Sequence, residues 1–142
     1  RTARAEGLEV KLGQLAAETG KEFAIQAEII GPGIQGNKLK LADTRLYAFN
    51  LFEIRDGKYI DCDRAVKLMD KFNIKRVPEV SRIVLDHSTD NIVDMAVGKS
   101  SLNNAVEREG LVFRPFNEQT DDDIGRLSFK AISNKFLLKG GD

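Results

Sequence analysis

The stretches Glu109-Gly110-Leu111-Val112-Phe113-Arg114-Pro115 and Ser128-Phe129-Lys130-Ala131-Ile132-Ser133-Asn134-Lys135-Phe136 decide how this chain folds. In the first, an acid and a glycine stand at the mouth of an apolar run. In the second, a lysine interrupts another. Both read as strands, Glu109 to Phe116 and Arg126 to Ser133, because their apolar and aromatic residues suit a pleated, half-buried surface. The acidic Asp121-Asp122-Asp123 between them reads as a solvated hairpin tip.

Working outward, the rest of the chain alternates short strands with short helices. Leu8, Leu12, Leu15 and Ala16 fall at helical spacing, and Gly20 is placed to end that helix. Phe23 to Ile30 and Leu46 to Ile54 read as strands, the second apolar enough to be covered on both faces. Arg55-Asp56-Gly57-Lys58 reads as a hairpin turn in which Asp-Gly supplies the positive φ values. Lys58 to Ile60 returns as a short strand. Asp61 or Asp63 is placed to cap a helix running to about Phe72, and Ser88-Thr89-Asp90 to cap another through about Val97. Val80 to Leu85 is expected to be extended, and Lys99 to Glu107 to be a loop or short helix. The expected class is α+β, antiparallel sheets with helices inserted between hairpins, in a single domain over residues 1–142.

Composition narrows the function. Lys plus Arg equals Asp plus Glu, 22 each, so any phosphate binding must come from a local cluster and not from a global basic field. A single cysteine, Cys62, leaves no internal disulfide framework and fits a reducing, cytoplasmic setting. No apolar run approaches the roughly 20 residues of a membrane span, and charged Arg1 to Glu6 is not followed by a signal-peptide core. A membrane is therefore not an expected partner. One cysteine and one histidine also make a zinc site a poor fit.

Several residues carry candidate chemistry. An acid and a lysine on neighbouring strands, Glu109 and Lys130, suit a metal-bound polyphosphate if both face one groove. Glu107 and Glu109, two apart on an extended chain, point the same way and raise the case for a cation there. By pattern alone, Lys130 stands either at a cleft or on a solvated face. Glu28 closes an apolar strand; it either accepts from a ribose hydroxyl or helps hold a metal, or is a strand-end acid in solvent. Strand alternation puts Tyr47 and Phe49 on one face and Phe52 on the other, and one of these rings could stack on a purine. Gly31-Pro32-Gly33-Ile34-Gln35-Gly36 matches G-x-G-x-x-G in letters, but no helical period follows, so the dinucleotide reading fails on context. His87 reads as a surface residue and Cys62 as a structural thiol.

Taken together, EIIGPGIQGN, YAFNLFEI, EGLVFRP and SFKAISNKFLLK resemble, in this order and spacing, motifs III, IIIa, IV and V of ATP-dependent RNA ligases, from about Phe23 to Lys139. These enzymes belong to the covalent nucleotidyltransferase superfamily, with DNA ligases and capping enzymes, and GPGIQGN points to the RNA ligase branch. The resemblance implies a nucleotidyltransferase (ligase-core) fold, ATP and Mg2+ or Mn2+ as cofactors, and RNA ends, a 5′-phosphate and a 3′-hydroxyl, as partners. It implies Glu28 near the ribose, Phe49 stacked on adenine, Glu109 at the metal and Lys130 on the AMP phosphate. In such enzymes a lysine attacks the ATP α-phosphate, AMP passes to the RNA 5′-phosphate, and a 3′-hydroxyl displaces it. Motif I, K-x-D-G with that lysine, has no match before Glu28: Lys11 and Lys21 lack a following Asp-Gly, and in EIRDGKY the nucleophile position is Ile54. Motif V often reads K-x-K, and here Ile132 takes the second place; Ala27 stands where relatives often have glycine. The expectation is the C-terminal part of an adenylyltransferase domain, inactive by itself. The alternative is a non-catalytic adenine-nucleotide or RNA-binding module derived from a ligase.

Overall fold

The computed structural model of the protein describes residues 1–139. After a short helix α1 (Thr2–Ala5) and the longer α2 (Leu8–Thr19), strands β1 (Phe23–Ile30), β2 (Arg45–Glu53) and β3 (Lys58–Tyr59) form an antiparallel sheet in the order β1-β2-β3. Helix α3 (Cys62–Lys71) follows, then α4 (Thr89–Ala96). Strand β4 (Gly110–Phe113) pairs antiparallel with β7 (Phe129–Ile132), and β5 (Thr120–Asp121) with β6 (Gly125–Arg126) makes the hairpin between them. Helix α5 (Asn134–Lys139) closes the described chain.

One face of the three-stranded sheet is packed. Leu15 of α2, Phe23 of β1, Ala48 and Leu51 of β2, and Ala65 and Met69 of α3 are buried together with Ile60 and Ile74. Leu8, Leu12, Ile25, Leu68 and Phe72 close around them. Leu15 and Leu51 are fully enclosed, and each such side chain contributes about 1.5–3 kcal/mol by leaving water. Packing two helices on this face leaves the opposite face of β1 and β2 to be covered by whatever follows. The exposed edge of β2 beyond β3 is closed by one parallel bridge from Ala48 to Arg76. There the Ala48 N–H donates to the Lys75 carbonyl at 2.8 Å and the Val77 N–H to the Ala48 carbonyl at 2.9 Å.

The expected class holds, α+β on antiparallel sheet, but several local expectations are corrected. Glu53 pairs with Lys58, so the hairpin loop has four residues, and of Asp56 and Gly57 only Gly57 has positive φ, 61°. A four-residue loop built around a type I turn needs one left-handed residue at its exit, unlike the two-residue turn that needs a pair. Asp61 holds the N-cap position of α3 without capping it; its carboxylate accepts from the Glu118 N–H at 2.7 Å, a tertiary contact that wins over the local one. Ser88 caps α4 as expected, accepting from the Asn91 N–H at 3.3 Å. Val80 to Leu85 joins no sheet, and Arg82 within it is tied to Glu79 and Asp63. The chain turns at buried Ser133 into α5, which carries Lys135. The acidic tip is a turn: the Asp121 carboxylate accepts from the N–H groups of Asp123 and Ile124 at 2.9 and 3.2 Å.

Candidate functional site

The register of β1 on β2 sets the outer face. Gln26 pairs with Asn50 and Ala27 with Ala48, so Phe49 is the extra residue of a bulge. A bulge puts two successive residues opposite one and re-aims their side chains. Inward positions are then Leu46, Ala48, Leu51 and Glu53, all buried. Tyr47, Phe49, Asn50 and Phe52 are left on the outer face, which corrects the simple alternation that separated Phe52 from Phe49. Contacts bear this out. Phe52 meets Tyr59 edge-on at 5.2 Å, the Arg126 guanidinium lies 3.8 Å over the Tyr59 ring, and Arg126 also donates to the Asn50 side-chain carbonyl at 3.1 Å.

Asn50 is the joint between the sheet and the β4–β7 ribbon. It is buried, and its amide nitrogen donates to the Gln26 carbonyl oxygen at 2.6 Å. Its carbonyl oxygen accepts from Arg114 at 2.7 Å as well as from Arg126. Arg114 also donates to the Phe49 backbone carbonyl, and its guanidinium lies over the Phe49 ring at 5.8 Å. Glu118 forks onto Arg126, and that hydrogen bonding raises the Arg126 pKa above its usual value. No carboxylate pairs with Arg114 among the described residues; burial first, then the like charge of Arg126, pull its pKa below the usual value.

At the other end of the ribbon stands Glu109, and Lys130, which opposes Val112, reaches along the ribbon to it in an ion pair, each side chain about half-exposed. From Glu109 to Arg114 is five strand positions, roughly 16 Å at the usual rise. That far end is tied to the glycine loop after β1: Asn103 donates to the Leu39 carbonyl at 3.0 Å, and the Lys38 ammonium lies 5.6 Å over the Phe136 ring of α5. Helix α5 follows directly on Ser133, whose N–H donates to the Glu109 carbonyl at 2.8 Å. The loop itself turns at buried Gly31, φ 131°, where a Cβ would stand 2.5 Å from the Asp43 carbonyl oxygen. Arg114 thus ties the ribbon to the Phe49–Asn50 corner of β2, while Phe136 and Asn103 meet the segment that follows the glycine loop.

The predicted residues thus fall as follows. Glu109 and Lys130 are in contact. Phe49 is on the outer face, under Arg114. Glu28 is exposed on the same face by strand alternation and, among the described residues, its carboxylate has no hydrogen-bond or ion-pair partner. None of the four lines the cavity of about 540 Å3 beside β3, whose walls include Lys21, Phe52, Glu53, Tyr59, Arg64 and Arg126. Glu107 does not join Glu109 at a cation site; it binds Lys99 at 2.8 Å while Glu109 binds Lys130. Exposed His87 lies 3.3 Å from Asp86, and burial raises the Cys62 thiol pKa.

A family model described as RNA ligase matches residues 1–132. The chain belongs to the RNA ligase family. It is similar to a mutant of Naegleria gruberi RNA ligase with ATP and Mn, at 36% identity and a TM-score of 0.84, over 97% of this chain and 39% of that one. The same ligase with PPi matches at 35% identity and 0.84, over 98% and 39%, and a mutant with AMP and Mn at 35% and 0.84, over 97% and 39%. The chain therefore spans about two fifths of the length of those ligases. Comparison with curated protein sequences gives no significant match. Its α+β fold is that of an RNA ligase nucleotidyltransferase domain, as the motifs implied.

Sequence reasoning missed Asn50, Arg114 and Arg126. Their only sequence signal is the neighbourhood: Asn50 follows Phe49, Arg114 follows directly on the apolar run after Glu109, and Arg126 stands just after the acidic tip. The donor set at the ion pair suits a hard divalent cation, since Glu109 offers carboxylate oxygen at an exposed position. Among the described residues no cluster of three His, Cys, Asp or Glu could hold a metal unaided. A Mg2+ or Mn2+ ion here would accordingly be held by Glu109 together with ligand phosphates and water, the usual habit of these ions.

Proposed function

We propose that the outer groove between β1–β2 and the β4–β7 ribbon binds the adenylate of ATP, and that the whole protein seals RNA ends by ATP-dependent adenylyl transfer in the cytoplasm. The observation that carries the reading is the Glu109–Lys130 ion pair on the same ribbon from which Arg114 clamps Phe49. In this reading Phe49 stacks on adenine, Glu28 accepts from a ribose hydroxyl, and Lys130 leaves Glu109 to meet the AMP phosphate. Glu109 would then hold the divalent ion, whose charge would offset that developing on the phosphoryl oxygens. The solved relatives with ATP, AMP, PPi and Mn support these ligands for the groove. The chain corresponds to the portion of an adenylyltransferase domain that carries motifs III to V, with an RNA 5′-phosphate and 3′-hydroxyl as the partners of the complete enzyme.

The test is titration of the 142-residue chain with ATP and Mn2+, alongside Glu109→Ala and Lys130→Ala. Each lost charge-assisted contact is expected to weaken binding by roughly 10- to 100-fold, the scale of about 1.5–3 kcal/mol. Affinities equal to the parent's would remove both residues from the site. A second reading, a non-catalytic adenine-nucleotide or RNA-binding module, is favoured by one observation: K-x-D-G does not occur within these 142 residues. The reading frame upstream of Arg1 decides between them, since a K-x-D-G encoded there supplies the nucleophile.

A further inference from the structure

The bulge in β2 does more than turn a ring outward. Of the residues that hold the Phe49–Asn50 corner, Arg114 alone grips both members, through the Phe49 carbonyl and the Asn50 side-chain oxygen. It does so from 64 and 65 positions away, just past the end of β4. A bulge locally disrupts its ladder, so a corner of this kind depends on outside partners to keep its geometry. Arg126, the other guanidinium on Asn50, belongs to Glu118 and to the Tyr59 ring and has no bond to Phe49. Arg114 has no carboxylate of its own among the described residues, and its Nε is buried without a partner. An apolar residue would fill that space without the cost of an unpaired buried cation. The cost is understandable if what the guanidinium holds is itself needed for binding.

We infer that Arg114 is a positioning residue for the nucleotide: by clamping the Phe49–Asn50 bulge it sets the Phe49 ring against the adenine, and so governs base affinity separately from phosphate affinity. This rests on the adenylate reading of the groove. The geometry also explains why arginine is required. Its planar fork reaches two acceptors at fixed angles while its face lies over the ring; a lysine ammonium on a flexible stem holds neither arrangement. One side of the Phe49 ring is then committed to the guanidinium, and the base takes the other. The phosphates are held by the Lys130 ammonium, which lies against Glu109, and by the ion there, whereas the Arg114 guanidinium bonds Phe49 and Asn50 and neither of those groups.

The experiment separates base from phosphate. Arg114→Lys and Arg114→Gln variants of the chain, checked for folding by far-UV circular dichroism, are titrated in Mn2+ with AMP and with inorganic pyrophosphate. The expected result is a roughly 10-fold loss for AMP, the lower end of what a base–aromatic stack contributes, and pyrophosphate affinity within about twofold of the parent. Equal losses for both ligands would show a merely structural role and overturn the inference, as would unchanged AMP affinity. Should one variant not fold, the split is read from the other; should neither fold, Arg114 is structural and the inference fails. If the parent chain binds neither ligand, the adenylate reading itself falls, an outcome distinct from loss of the split.

Discussion

Gly110 shows how much one side chain, or its lack, decides here. It sits between Glu109 and the apolar strand, opposite Ile132, and a Cβ built on it would stand 2.1 Å from the Ala131 carbonyl oxygen. That neighbour is backbone and cannot swing aside, so β4 and β7 would have to part just where Glu109 reaches Lys130. Gly110→Ala is expected to lower stability by about 1–3 kcal/mol, the range for forcing atoms into packed space. It should also weaken ATP binding although no ligand-facing group is removed. Urea unfolding beside nucleotide titration checks this; a variant as stable and as tight-binding as the parent would mean the ribbon tolerates the spread. In the sequence, Glu109-Gly110 was legible as a motif. The steric reason for the glycine was not, because the atom it avoids belongs to a residue 21 positions later.

At the scale of elements, the three longer helices and most strands follow from local patterning, whereas the short α1 and α5 do not. Helix α2 and strand β1 fall where periodicity put them, since amphipathic spacing is a property of consecutive residues. The bulge in β2 is a different matter. Nothing in Leu46 to Ile54 marks which residue is extra; the register is fixed by β1, and the face of Phe52 changes with it. The short run at Arg76 was also invisible, because it depends on a single bridge to Ala48 and on Asp70, which accepts from Arg76 at 2.7 and 3.0 Å. The Arg76 hydrogen bonds hold the Asp70 pKa below its ordinary value. A carboxylate so depressed contributes stability above its unfolded-state pKa and loses it as pH falls through the folded value. Asp70→Asn is therefore expected to cost about 0.5 kcal/mol at pH 7, a small figure because the pair is exposed and screened by solvent. The gap should close in acid, below the ordinary aspartate range. Urea midpoints at neutral and acid pH measure it, and a gap that persists in acid would assign Asp70 some role other than this ion pair.

For the molecule as a whole, charge balance and motif content set the chemistry available. With 22 cations against 22 anions, binding rests on local groups, and none of the lysines present lies in K-x-D-G. The 142-residue chain incubated with labelled ATP and Mn2+ is expected to carry no covalent AMP after denaturing electrophoresis; a stable adduct would show that another lysine serves as nucleophile. The sequence by itself determined which groups exist and in what order: the glycine loop, the ring before Asn50, the acid before Gly110 and Lys130 in an apolar run. These are decided by residue type and near-neighbour spacing, which a linear reading contains. Only the tertiary structure decided which of them meet. The Glu109–Lys130 contact, the common face of Phe49 and Phe52, and the convergence of Arg114 and Arg126 on Asn50 across 64 and 76 residues all depend on register and on packing between distant strands. Such contacts form when burial of the shared core brings distant segments together, and that burial is a property of the folded whole, not of any stretch within it.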